Sequence, residues 1–331
     1  MRLDLGGHPI HTRALSVSLA RLDGARLAVA ADLLDLRKRG FTPVGSELQG
    51  AGVIHQMGLD AVLDAATLTL ERIAERLPVV AFEASPATLG ESCRDVSGRL
   101  AALVGTRVDE RALRETIGGA LGCSHVLALA QFLLATTAGA AAAVAIGPDD
   151  AVHRRVFRRD LIFDGAELDA GTLLLAVQLS DLSSAPAPAG ATPAERFTGH
   201  YELRLEIELR GWPATITAIR GAQRRRTPAG FADAAWEDCA ALLDQVRELS
   251  LGKGANRELN QRLAGNPPLR DAMSMLVPAL IQCRASFPDK WLNRAATTPG
   301  HPGLIGMADS CYMWRRGGAL ERQRPAPERE Q

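Results

Sequence analysis

From Tyr201 to Arg210 the chain reads Tyr-Glu-Leu-Arg-Leu-Glu-Ile-Glu-Leu-Arg, apolar and charged residues in strict alternation. A period of two sends one residue class to each face of a strand, so this stretch predicts a half-buried antiparallel strand with one wet face. The alternating runs Leu15–Leu22 and Val156–Phe163 each lead into an Asp-Gly pair, Asp23-Gly24 and Asp164-Gly165. Each pair is followed by a further apolar run, Ala25–Leu36 and Ala166–Leu182. Asp-Gly between such runs predicts a hairpin, because both turn positions favour positive φ. Third and fourth strands follow at Val53–Leu63 and Thr67–Ile73, and again at His200–Arg210 and Ala214–Ile219. The period then lengthens to the helical one. Helices are expected over Glu91–Val104, Asp109–Ile117 and Ser124–Ala143, and over Trp236–Leu249, Asn256–Leu263 and Pro268–Arg284.

The two sets of elements have the same order, which suggests an internal repeat. The Asp-Gly pairs are offset by 164 − 23 = 141 and the histidines His55 and His200 by 145. Cys93 and Cys239 are offset by 146, as are Gly119 and Gly265. His11 has a counterpart in His153. Strands grouped before helices indicate an α+β fold. The expected architecture is two repeats, each a four-stranded antiparallel sheet followed by about three helices, packed as a pseudo-two-fold pair. The boundaries drawn are 9–147 for a first repeat with intact motifs and 148–286 for a diverged second repeat. A C-terminal extension covers 287–320, with Trp291, His301, Cys311 and Trp314, and a disordered tail covers 321–331.

Composition narrows the function classes. In 331 residues, 38 Lys+Arg balance 38 Asp+Glu, which argues against a nucleic-acid partner. Apolar residues make up 47%, enough for a substantial core. No secretory signal is apparent, and the five widely spaced cysteines contain no CxxC pair, so a reduced, cytoplasmic protein is expected. The apolar stretch Val126–Ile146 is read as a core helix rather than a membrane span, since Asp149-Asp150 follow it directly.

The densest chemistry lies in Gly118-Gly119-Ala-Leu-Gly122-Cys123-Ser124-His125, a glycine-rich turn opening onto a long helix. Ser124 is the expected N-cap. Free N–H groups there favour an anion and would lower the Cys123 thiol. The alternative is that the glycines only allow close packing. His125 lies on an apolar helix face with Leu129, Phe132 and Thr136, a setting as common for a core histidine as for a functional one. His11 and His55 open strands, as acid/base partners or as strand-end hydrogen-bonding groups. Only Cys123 and His125 have short ligand spacing, so no metal is expected. No Walker, dinucleotide or GxSxG pattern is present, and no cofactor is expected.

These motifs resemble a bacterial family of domains of unknown function, number 2889. The resemblance rests on Ile10-His11-Thr12-Arg13, Gly52-Val53-Ile54-His55-Gln56-Met57, Leu103-Val104-Gly105, Gly122-Cys123-Ser124-His125 and Ala135-Thr136-Thr137-Ala138. It covers roughly Pro9 to Ala142, with Asp309-Ser310-Cys311-Tyr312 placed in the family's tail. It implies a domain type and marked positions, not a reaction. The second half departs from it, with Pro268-Leu269-Arg270-Asp271 where the Gly-Cys-Ser-His piece would fall.

The expected activity is that of a cofactor-independent acid/base enzyme, a lyase, isomerase or decarboxylase acting on a small carboxylated or aromatic molecule. His125, His55, His11 and Cys123 are the catalytic candidates, and Arg13, Gly122 and Ser124 would bind substrate. The alternative is a non-catalytic ligand-binding or assembly module with structural histidines. The partner expected is a small molecule, with no membrane and no nucleic acid, and a homodimer is left open.

Overall fold

Nine strands join edge to edge in one antiparallel sheet. The computed structural model describes residues 6–23, 25–39, 50–141, 155–169, 171–185, 190–211, 213–232, 234–285 and 308–323. The strands are β1 (His8–Arg21), β2 (Arg26–Arg37), β3 (Gly52–Asp64), β4 (Leu70–Val79), β5 (Arg155–Asp169), β6 (Thr172–Ser184), β7 (Phe197–Arg210), β8 (Thr215–Arg226) and the two-residue β9 (Glu237–Asp238). Their order in the sheet is β4-β3-β2-β1-β5-β6-β7-β8-β9. The helices are α1 (Glu110–Ile117), α2 (Ser124–Ala141), α3 (Pro193–Arg196), α4 (Ala240–Leu243), α5 (Ala255–Arg262), α6 (Pro267–Ser274), α7 (Leu276–Ala285) and α8 (Ala319–Arg322). Among the described residues no helix is long and apolar enough to cross a membrane.

Alternation decides which face is covered. Leu15, Val17 and Leu19 of β1 and Leu27, Val29, Ala31 and Leu33 of β2 are buried, while the residues between them are half-buried or exposed. α2 packs over β1, β2 and β3, α7 over β1, and α6 over β6. Leu129 and Phe132 of α2 sink fully into this core. The other face carries ion pairs, such as Arg76 with Asp32 and Asp60, and Lys38 with Asp164.

The strand registers share one offset. Arg13 lies opposite Asp35 in β1–β2, and Arg159 lies opposite Asp181 in β5–β6, so both members shift by 146 (159 − 13 and 181 − 35). Asp35 opposite His55 and Asp181 opposite Tyr201 shift by the same amount (201 − 55 = 146). At the centre Leu15 faces Leu161, and 161 − 15 is again 146.

Several expectations are corrected. Asp164-Gly165 is no hairpin turn: Gly165 sits inside β5, opposite His11 on one side and Leu175 on the other. A Cβ there would stand 2.5 Å from the Cys283 sulfur of α7, so this glycine makes room for a helix and not for a turn. The β5–β6 connection includes Gly171, at φ +113°. The helix expected over Glu91–Val104 is two 3-10 turns, Cys93–Val96 and Arg99–Leu103, separated at the left-handed Gly98. Trp236–Leu249 is helical only from Ala240 through Val246, because the chain then returns to pair Leu249 with Ile216. Pro268–Arg284 breaks at Met275 into α6 and α7.

The expected extension returns to the first half, where the Tyr312 N–H donates to the Gly122 carbonyl at 2.8 Å and Arg315 pairs with Glu91. Trp291, His301, His153 and most of the tail assigned to 321–331 lie outside the described residues.

Candidate functional site

Arg13, Asp35 and His55 are directly opposed across three neighbouring strands, which sets their side chains side by side on the helix-covered face. His11, two residues before Arg13, shares that face. α2 begins above them. The Cys123 carbonyl accepts the first helical bond from the Leu127 N–H at 2.9 Å, so Cys123 rather than Ser124 occupies the cap position. His125, two residues on, points back over the sheet.

Asp35 is the hub. Arg13 donates to it through Nε and Nη2, each at 2.8 Å, in a bidentate pair. His11 Nε2 stands 3.0 Å from Oδ1 and donates to it, since the carboxylate can only accept. His55 Nδ1 lies 3.3 Å and His125 Nε2 3.7 Å from Oδ2. The rings of His55 and His125 stack with centroids 3.7 Å apart. Cys123 Sγ is 3.7 Å from His125 Nδ1, and Gln282 of α7 faces the same imidazole. Asp35 and His11 are wholly buried, whereas the His125 side chain is 12% exposed and forms the solvent-facing edge of the cluster.

Burial and charge set the protonation states. Burial by itself would raise Asp35, but the Arg13 charge and the bonds from Arg13 and His11 outweigh it and hold the carboxyl well below its usual range. Burial also lowers His11, and lowers His125 strongly with the help of His55 and Arg13, so both rings are neutral at neutral pH. Arg37, buried nearby, is brought down to about 10 by burial and adds positive charge beside Asp35. The expected thiolate at Cys123 is overturned: burial pushes this thiol up to about 12. The low-dielectric surroundings win over the helix dipole.

Three buried polar atoms of this cluster have no hydrogen-bond partner among the described residues: His11 Nδ1, His55 Nδ1 and His125 Nε2. Such orphans are rare in a finished core. Among the described residues, Asp35, His55 and His125 are also the group whose donor atoms, all within 4.8 Å, come close enough to share a metal ion. The same carboxylate already holds Arg13 at both oxygens, and that fixed positive charge opposes an incoming cation.

Of the residues singled out from sequence, His11, Arg13, His55, Cys123 and His125 converge. Gly122 is buried beside them. A Cβ on it would come within 2.4 Å of the Ile117 carbonyl oxygen, so it allows the tight approach of α1 to α2. Ser124 is the first residue of α2 and is half-buried. Asp35 and Gln282 were missed. Asp35 left a faint trace: it is the acidic residue in phase with the buried Val29, Ala31 and Leu33.

The second half holds a different cluster. Arg159 donates from Nε and Nη2 to Asp181, both at 2.7 Å, and from Nη1 to Asp271, also at 2.7 Å. By register the counterpart of His55 is Tyr201, not His200. His200 falls on the opposite face, where it meets Ser180 Oγ at 2.9 Å.

Residues 11–139 match the family described as Protein of unknown function (DUF2889). Over this stretch the chain is similar to DUF2889. It contains His11, Arg13, Asp35, His55, Cys123 and His125, so the matched DUF2889 segment and the buried cluster coincide, with Gln282 supplied from outside it. None of the curated proteins and none of the solved structures compared with the chain matches it.

Proposed function

We propose that the segment similar to DUF2889 holds an acid/base active site that needs no cofactor and works as a lyase, isomerase or decarboxylase on a small carboxylated or aromatic molecule. The observation that carries this reading is the stacked pair His55 and His125 over a buried, ionised Asp35, each ring turning toward that carboxylate a nitrogen that makes no well-aligned hydrogen bond. A neutral imidazole beside a carboxylate accepts a proton and is stabilised once charged. Arg13 and His11 hold Asp35 in place while that happens. His125, at the open edge, exchanges protons with substrate, and His55 lies in contact to pass one on or supply the second. We also infer that 9–147 and 148–286 are two copies of one unit packed about a pseudo-two-fold axis at Leu15 and Leu161. The common register offset of 146 supports this.

The test is proton wash-out. Purified protein is incubated in D2O with small carboxylic and phenolic acids while C–H signals are followed by NMR. Deuterium incorporation in at least one compound is expected, lost in folded His125→Ala and His55→Ala variants. No incorporation with any of them would favour a non-catalytic module with structural histidines. One equivalent of zinc kept through chelator dialysis and lost in His125→Ala would replace proton transfer with metal chemistry.

A further inference from the structure

The second cluster indicates what the first is built to receive. Arg13 and Arg159 occupy matching register positions, and each grips the aspartate opposite it through Nε and Nη2. They differ at the remaining nitrogen. Nη1 of Arg159 is taken by Asp271 at 2.7 Å. Nη1 of Arg13 has no hydrogen-bond partner among the described residues. Asp271 stands at the position of His125, 271 − 125 = 146, the offset shared by the strands. Where the second half carries its own carboxylate, the first half carries a neutral imidazole and leaves a guanidinium N–H for an acceptor.

We propose that Nη1 of Arg13 anchors the carboxylate of a small ligand, beside His125, in the place that Asp271 fills on Arg159. This deepens the acid/base reading and rests on the same site. A guanidinium that is nearly buried is strongly stabilised by charge-assisted bonds on every edge. At Arg159 two carboxylates come from the chain, and at Arg13 one does among the described residues. Arg37, buried close to Asp35 and His11, adds a second positive charge that favours an anion over a neutral molecule. The ligand is thus a monocarboxylate whose reacting carbon lies within reach of the His125 imidazole. The Arg13 guanidinium opposes a cation at the same spot.

The experiment compares acetate and benzoate with their uncharged isosteres acetamide and benzamide, by calorimetric titration of the full chain. At least one carboxylate should bind, and the matching amide should bind about 10- to 100-fold more weakly, the worth of one charge-assisted bond. His125→Asp copies the second half's arrangement into the first and supplies the missing partner internally. It should remain folded, keep its melting temperature or raise it, and lose carboxylate binding by a similar factor. Asp271→Asn, in the other half, should leave the titration unchanged. Equal binding of acid and amide, no binding of either carboxylate, or undiminished binding by a folded His125→Asp would each overturn the proposal. Failure of the acid/base reading looks different: carboxylates bind with the stated dependence, yet no C–H deuterium exchange occurs. Turnover of substrates that lack a carboxylate would sink the anchor and leave the acid/base reading standing.

Discussion

Arg13 and Asp35 face each other across β1 and β2, joined by two bonds of 2.8 Å and shielded almost completely from solvent. A pair held this way is costly to break from one side, because the surviving charge stays buried without its partner. Asp35→Asn should destabilise the protein by about 3–5 kcal/mol in urea unfolding, the range for a disrupted buried pair. A loss near zero would mean that the pair is more open than its burial implies.

Acid should weaken the fold in two steps. His11 and His125 have folded-state pKa values below the usual histidine range, so the unfolded chain takes up protons first. Their neutral forms therefore favour the fold above about pH 6.5, and that stability drains away as pH falls below it. Asp35 is depressed in the opposite sense of charge. Its contribution is complete above the unfolded carboxylate value near 3.9 and declines as pH falls toward its lower folded value. Melting temperature against pH should begin to fall as pH drops below about 6.5 and fall further below about 4. In His125→Gln the first fall should be shallower. A flat profile through pH 5 would contradict the neutral histidines.

The thiols should be inert in the native state. Burial pushes Cys123 and Cys283 up to about 12, and raises Cys93 and Cys311 as well. Thiolate is the reactive form. Iodoacetamide at pH 8 is therefore expected to leave Cys123 and Cys283 unmodified in folded protein and to label all five cysteines after denaturation, as read by peptide mass spectrometry. Rapid native labelling of Cys123 would restore the thiolate expected from its helix-start position.

Much of this fold is written in periodicity and turn chemistry. The period-two runs place β3 and β7 within a few residues, and α1 starts one residue after its capping Asp109, whose side chain accepts from Ala112 N–H. Where the reading failed, a tertiary contact had overruled a local signal. Asp164-Gly165 has the composition of a turn, but the space needed by Cys283 of α7 explains its glycine. The helix expected over 236–249 is cut short by backbone pairing with β8. The site was legible in its histidines and in Arg13, which stand in short distinctive motifs. It was barely legible in Asp35: its phase with Val29, Ala31 and Leu33 puts it on the covered face, but a lone acidic residue does not reveal its partners until the opposite strands are placed. Gln282 carries no signal at all, since only the packing of α7 over β1 brings it to His125.

The sharpest energetic contrast lies between the two halves. Among the described residues Asp35 is the single carboxylate on Arg13, whereas Arg159 is shared by Asp181 and Asp271. Removing one acid from the second cluster leaves its guanidinium paired, so Asp181→Asn should cost less than Asp35→Asn, by about 1–3 kcal/mol, the worth of a retained charged bond. The double variant Asp181→Asn/Asp271→Asn should then cost more than the sum of its singles, because only together do they strand the charge. Additive losses in a urea double-mutant cycle, or equal costs for Asp35→Asn and Asp181→Asn, would show that Asp271 does not back up Asp181. The expected non-additivity would mark the second cluster, with Arg270 also bonded to Asp271, as a closed structural ion network and leave the first as the half of the sheet with a partner position open.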